Sequence, residues 1–209
     1  MPDPMGDFNY TWPFYAAAVM GYLLGSIPFG LLLTKIAGHG DIRQIGSGNI
    51  GATNVLRTGD KGLAALTVLF DGGKGAVAFW IAGLFGPDMA VLAGGGAFLG
   101  HLFPVWLRFK GGKGVATACG ILLAATWIPA LLTFLTWLAV VALFRYSSLA
   151  ALVASAMAPI YVWHLTNLQL TELAVFLTIL IFIRHYPNIR RLLKGEESKI
   201  RLKCNTPDE

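Results

Sequence analysis

"RFKGGKGVATACG", Arg108 to Gly120, sets two lysines among glycines and runs straight into an apolar stretch. A glycine-flanked lysine opening a helix suggests a nucleotide-binding loop in an α/β domain. That pattern needs Ser or Thr after the lysine and a glycine five residues ahead of the last one. Here Gly114 follows Lys113, and Leu107 stands where the earlier glycine belongs. The chain is 56% hydrophobic and 13% charged, with a mean hydropathy of +0.64. Soluble domains carry about 25% charged residues, so half the usual polar surface is missing. Apolar runs of near bilayer-crossing length recur throughout. The sequence therefore reads as an all-α integral membrane protein, and the lysine loop as a connection between spans.

Apolar runs between polar breaks predict about seven transmembrane helices, at 13–36, 61–85, 89–107, 114–127, 128–144, 148–164 and 170–186. The fourth is short and meets the fifth at "TWIPAL", as either a tight turn or a kink in one segment. Of the 16 lysines and arginines, all but Lys74 fall at or beside the connections 36–60, 108–113 and 145–147 or after residue 183. The positive-inside bias then places the amino terminus outside and the carboxyl terminus in the cytoplasm. The first dozen residues carry aspartates and no basic residue, so the first run is expected to be a retained span and not a cleaved leader. Cys119 and Cys204 suggest neither a disulfide framework nor a metal site.

Chemistry-bearing residues gather on the predicted cytoplasmic side. "DIRQIGSGNIGATNVLRTG", Asp41 to Gly59, contains Gly46-x-Gly48-x-x-Gly51, the dinucleotide fingerprint out of its required βαβ context. What survives is a glycine backbone that an anion can approach, with Ser47, Asn49, Thr53, Asn54 and Arg57 as donors. A flexible polar turn is the alternative. In the opening stretch Lys110 and Lys113 flank Gly111 and Gly112, and Gly114 precedes the fourth span. A helix amino terminus aimed at such a loop makes an anion site; a positive-inside anchor, which needs the lysines but not the glycines, is the alternative. "RYSSLAA" puts Ser147 and Ser148 at the start of the sixth span, as a helix cap or as donors. "RHYPNIRRLLKGEE" follows the seventh with His185 and Asn188, while Arg190, Arg191 and Lys194 suit anionic headgroups.

The lysine motif has an echo, "FDGGKGAVAF", Phe70 to Phe79. Lys74 falls at mid-span, three residues after Asp71, so the two share a helix face. Ionisable groups at membrane depth face the bundle interior and mark function, although a pair that only joins helices, or a dip of 61–73 from one side, is the alternative. No G-x-S-x-G elbow occurs, and no histidine has an aspartate five positions later. What the four cytoplasmic stretches share is suitability for phosphate.

Taken together, "GYLLGSIPFGLLLTK", "GSGNIGATNVLRTG", "GHLFPVWLRFKGGKGVAT", "RYSSLAA" and "RHYPNIRRLLKGEE" resemble the bacterial acyl-phosphate-dependent glycerol-3-phosphate acyltransferases, in the family's order from Gly21 to Glu197. The resemblance implies a seven-helix enzyme of the bacterial inner membrane with its active site facing the cytoplasm. It would be a single polytopic domain over 1–197, with a polar cytoplasmic tail at 198–209. The enzyme would move a fatty acyl group from acyl phosphate to the 1-hydroxyl of glycerol 3-phosphate. The products would be lysophosphatidic acid and phosphate, in the first step of phospholipid synthesis.

Functional roles then fall on Ser47 and Arg57, with Gly46, Gly48, Asn49 and Thr53 nearby. Lys110 to Gly114 would bind glycerol 3-phosphate, Ser147 and Ser148 would join the pocket, and His185 and Asn188 would complete it. Asp71, Lys74 and Gly75 also match. The hydroxyl proton goes either to His185 or to an oxygen of the acyl phosphate itself; the second is preferred because no carboxylate stands near His185 in sequence. No cofactor and no metal are expected, since the donor is already activated and cations abound. The expected partners are the two substrates and the bilayer, with no nucleic acid; the oligomeric state stays open. The rival class, a transporter for a phosphorylated metabolite, would need its polar groups near the midplane. A non-catalytic membrane scaffold would leave the glycine-donor loops unexplained.

Overall fold

The computed structural model describes residues 6–200; most of the expected polar tail, with Cys204, lies outside the described residues. Every regular element among them is helical. Helix α1 (Phe8–Gly25) and α2 (Phe29–Ile36) together make one apolar unit of 29 residues. The unit breaks at Ile27 and Pro28, because proline cannot donate to the helical ladder. A single-turn α3 (Ala52–Val55) leads to α4 (Lys61–Gly83), which Asp60 caps by accepting from the Leu63 amide at 2.9 Å. Then come α5 (Pro87–Leu102), α6 (Val115–Ala125), α7 (Trp127–Phe144), α8 (Ser147–Leu165), α9 (Leu168–Arg184) and α10 (Tyr186–Leu193).

Five helical units are long and apolar enough to cross a bilayer, or six if α9 and α10, bent by 60°, count as one. The remaining apolar helix, α6, has 11 residues, about 16 Å of a core about 30 Å thick. It is short because the loop before it folds back on α5. The amides of Gly111 and Gly112 donate to the Leu102 and His101 carbonyls, so α6 starts level with the last turn of α5. Thr126 is extended between α6 and α7, which makes their junction a turn and not a kink. Helix α4 is unbroken, so residues 61–73 do not turn back.

Small residues hold the bundle together, as they must where lipid tails remove the hydrophobic drive between helices. Gly21 and Gly25 of α1 face Ala93 and Ala97 of α5; a Cβ on Gly25 would stand 1.9 Å from the Ala97 carbonyl oxygen. Gly96 and Gly100 of α5 return the contact against Ala18 and Tyr22. Two of the three "DGGKG" glycines, Gly72 and Gly75, serve the same purpose. Gly72 packs against Gly120 of α6, where a Cβ on Gly120 would lie 2.0 Å from the Gly72 oxygen, and Gly75 packs against Thr117. Large apolar side chains such as Trp127, Phe134 and Leu143 point outward.

Candidate active site

Four connections far apart in sequence meet at one end of the bundle. The first, between α2 and α4, is built around Asn54, which is 2% exposed. Its Nδ2 donates to the carbonyls of Ile42, Ile45 and Asn49 at 2.8–3.2 Å. Its Oδ1 accepts from the Ser47 amide at 3.1 Å, the Ser47 hydroxyl at 3.4 Å and Arg57 Nη1 at 3.4 Å. One buried amide thus gathers Ser47 and Arg57, both exposed. Gly46 has φ 55° and lies so close to Arg57 that a Cβ would come within 2.2 Å of Nη1. Asn49 closes the following turn by accepting from the Gly51 amide, while Thr53 is exposed.

In the second connection, between α5 and α6, the backbone is clamped on both sides. Besides the two amide bonds to α5, Arg184 at the end of α9 donates to the Gly111 and Gly112 carbonyls at 2.8 and 3.1 Å. The amides of Gly111 and Gly112 are therefore engaged in holding the loop, and what the loop presents are its lysines. The glycines meet a packing need. A Cβ on Gly112 would fall 2.1 Å from His101 Nε2, and one on Gly114, which has φ 84°, would fall 2.3 Å from the Phe98 ring. Lys110 is exposed. Lys113 reaches inward, its Nζ donating to Asn188 Oδ1 at 2.5 Å. Burial pushes its ammonium down to about 8; Glu197 opposes that shift, and Arg191, Arg184 and Arg57 add to it.

The third and fourth connections close the patch. Tyr146, not a serine, occupies the cap position of α8, without a side-chain capping bond. Ser148 is buried and donates to Glu197 Oε1 at 2.7 Å, whereas Ser147 is half-buried. Between α9 and α10, His185 and Asn188 are 2% and 5% exposed. The His185 Nδ1 pairs with the Ile181 carbonyl at 2.8 Å, which fixes the ring and leaves Nε2 as its other face. Asn188 is polarised at both ends, with its oxygen facing Lys113 and its nitrogen donating to Glu197 Oε1 at 2.6 Å.

Glu197 was not among the expected site residues, yet it joins the third connection to the fourth. It binds Ser148 and Asn188 through one oxygen and Arg191 Nε through the other, at 2.6 Å. Burial pushes its carboxyl up, but those three hydrogen bonds prevail and hold it below the ordinary value. The available signal was a carboxylate closing a strongly basic segment just after Gly195, which turns the chain at φ 72°. The segment continues across the site. Arg57 donates to the Ser198 hydroxyl, and Ile200 exchanges backbone and side-chain bonds with Arg145. Residues 198–200, at the start of the expected polar tail, thus run as a strap over the site. Arg184 was likewise unassigned, and Asn54 had counted only as one donor among several.

Asp71 and Lys74 lie beneath this patch, both buried. Lys74 Nζ donates to Asp71 Oδ1 and to the Ile27 carbonyl at the α1–α2 break, each at 2.8 Å. Among the described residues no group of three or more His, Cys, Asp or Glu side chains could hold a metal ion.

The patch combines cations, buried amides and hydroxyls, a set suited to phosphate. The family model described as glycerol-3-phosphate acyltransferase matches residues 15–195. A glycerol-3-phosphate acyltransferase of Mesorhizobium japonicum is 61% identical over 190 residues, covering 91% of this chain and 97% of that protein. One of Bradyrhizobium diazoefficiens is 60% identical over 185 residues, covering 88% and 93%. The crystal structure of PlsY (YgiH), an integral membrane glycerol 3-phosphate acyltransferase in its glycerol 3-phosphate form, superposes with a TM-score of 0.85. It is 38% identical, over 90% of this chain and 96% of that one. Its lysophosphatidic acid form gives a TM-score of 0.84 at 36% identity. This chain belongs to the glycerol-3-phosphate acyltransferase family and is an integral membrane acyltransferase.

Proposed function

We propose that the enzyme transfers a fatty acyl group from acyl phosphate to the 1-hydroxyl of glycerol 3-phosphate, releasing lysophosphatidic acid and inorganic phosphate. The observation that carries this reading is the meeting of Arg57, Lys113, Ser148 and Asn188, from four separate connections, around one cationic patch. Both substrates are phosphate monoanions or dianions, and the solved relative PlsY (YgiH) is described in a glycerol 3-phosphate form and in a lysophosphatidic acid form.

Acyl phosphate is a mixed anhydride, already activated, so no enzyme nucleophile is required. The glycerol oxygen attacks the carbonyl carbon, the carbonyl oxygen takes up charge, and phosphate leaves with the anhydride electrons. Fixed cations and donors stabilise both developing charges, and holding two anions side by side supplies the entropic part. Lys113 and Lys110 bind the glycerol 3-phosphate phosphate, with the Gly111–Gly114 backbone shaping the loop. Ser47 and Arg57, set by Gly46, Gly48, Asn49 and Thr53, face the acyl phosphate. Asn188, Ser147 and Ser148 orient the acceptor. The proton passes to an oxygen of the acyl phosphate. His185 has a backbone carbonyl and not a carboxylate on Nδ1, so it orients through Nε2 and does not need to carry charge.

The patch faces the cytoplasm of the bacterial inner membrane, with the amino terminus outside and seven passes, counting α9 and also α6, whose helix by itself reaches only about half of the hydrocarbon core. The clustering of basic connections at one bundle end supports this orientation. Purified protein given acyl phosphate with and without glycerol 3-phosphate tests the reaction: phosphate release should depend on the acceptor. Release that ignores glycerol 3-phosphate would refute it.

A further inference from the structure

We propose that His101, backed by Asp71 and Lys74, is a positioning residue that sets Lys113 for the acceptor phosphate. This rests on the assignment of the 110–114 loop to glycerol 3-phosphate. Three buried groups converge under the two anion loops. Asp71 and Lys74 come from α4, and His101 from the last turn of α5; they are 3%, 6% and 4% exposed. Lys74 binds the Ile27 carbonyl and lies 5.8 Å from the Phe29 ring, so it fixes the elbow from which α2 carries the first loop.

His101 Nδ1 lies 3.7 Å from Asp71 Oδ1 and has no hydrogen-bond partner among the described residues. A buried, unpartnered ring nitrogen beside a carboxylate is costly to keep. A purely apolar support such as Phe or Leu would pack the same space without that cost. The other side of the ring supports the loop. Gly112 seats directly over Nε2, and the Gly112 amide donates to the His101 carbonyl. Lys113 is the next residue. The ring therefore sets the height of the loop, the Asp71 carboxylate backs the ring from 3.7 Å, and Lys74 ties Asp71 to the elbow of the first loop. An ion pair that merely neutralised itself would need neither the histidine nor the elbow carbonyl.

The test uses detergent-purified full-length enzyme and measures kcat and KM for each substrate in wild type, His101→Gln, Lys113→Gln and the double variant, with thermal unfolding alongside. His101→Gln should raise KM for glycerol 3-phosphate about 10- to 100-fold, as an ångström-scale misplacement does, and leave KM for acyl phosphate within about twofold. In the Lys113→Gln background the same change should add less than about twofold, because the two act through one loop. Should His101→Gln fail to fold, the paired Asp71→Asn and Lys74→Met variant probes the support from its other end, with the same KM pattern expected. A lower unfolding temperature and kcat with unchanged KM would mean a structural role only and overturn the proposal. If Lys113→Gln raises KM for glycerol 3-phosphate and His101→Gln does not, the positioning role fails alone. If Lys113→Gln itself leaves that KM unchanged, the loop assignment fails, and the positioning role fails with it.

Discussion

Raising the pH through 8 should weaken capture of glycerol 3-phosphate by discharging Lys113. The ammonium is held at about 8, first by burial and then by Arg191, Arg184 and Arg57, against the opposing pull of Glu197. A depressed lysine loses its charge as pH rises, so binding is strongest below 8 and falls above it. At one unit above the pKa about a tenth of Lys113 stays charged, and KM at pH 9 should exceed that at pH 7 by about tenfold. The ligand does not confuse the reading, because a phosphate monoester has its second pKa near 6 and is already about nine-tenths dianion at pH 7. A bound dianion stabilises the ammonium, so the profile of kcat should turn at higher pH than that of kcat/KM. The assay is phosphate release at saturating acyl phosphate, with glycerol 3-phosphate varied from pH 7 to 9.5. Lys113→Gln supplies the control. Losing a charge-assisted hydrogen bond of about 1.5–3 kcal/mol should raise KM at pH 7 about 10- to 150-fold and abolish the alkaline inflection. A flat wild-type profile, or an inflection that survives in Lys113→Gln, would show that another group binds the phosphate.

Glu197→Ala should lower both the unfolding temperature and activity, since it strips Ser148, Asn188 and Arg191 of their shared acceptor at a cost of about 2 kcal/mol; wild-type values for both would remove Glu197 from the site. Arg184→Gln frees the Gly111 and Gly112 carbonyls and should raise KM for glycerol 3-phosphate at least about fivefold, a change that steady-state kinetics would reveal or refute. Gly120→Ala should destabilise the bundle, because its Cβ would lie 2.0 Å from the Gly72 oxygen, whereas Gly73→Ala meets nothing within 4 Å and should be silent. Equal unfolding temperatures for those two variants would contradict the packing assigned to "DGGKG".

Much of this molecule was legible without coordinates, because the signals are local. Apolar run length and the placement of basic residues reveal membrane helices and the end of the bundle where the basic connections gather. Donor-rich loops and paired lysines mark the connections that carry Ser47, Arg57, Lys113, His185 and Asn188, while the family resemblance, and not the local pattern, picks out those side chains. The reading faltered where a residue has different uses that look the same in sequence. Gly111 and Gly112 suggested amides open to an anion, yet their amides hold the loop to α5. The short α6 was visible as a weak span, but its cause, a loop folded back onto α5, was not.

By itself the sequence determined an all-helical membrane chain with phosphate-suited connections, since hydropathy and charge act on each segment separately. Only the tertiary structure decided which side chains share a site. Ser148 meets Glu197 across 49 positions and Lys113 meets Asn188 across 75, separations at which no local pattern records a contact. The two "GGKG" strings show the division most plainly. One lies within α4 and lets that helix touch α6, while the other rests on His101 and presents Lys113. Helix packing, not spelling, assigned them their different work.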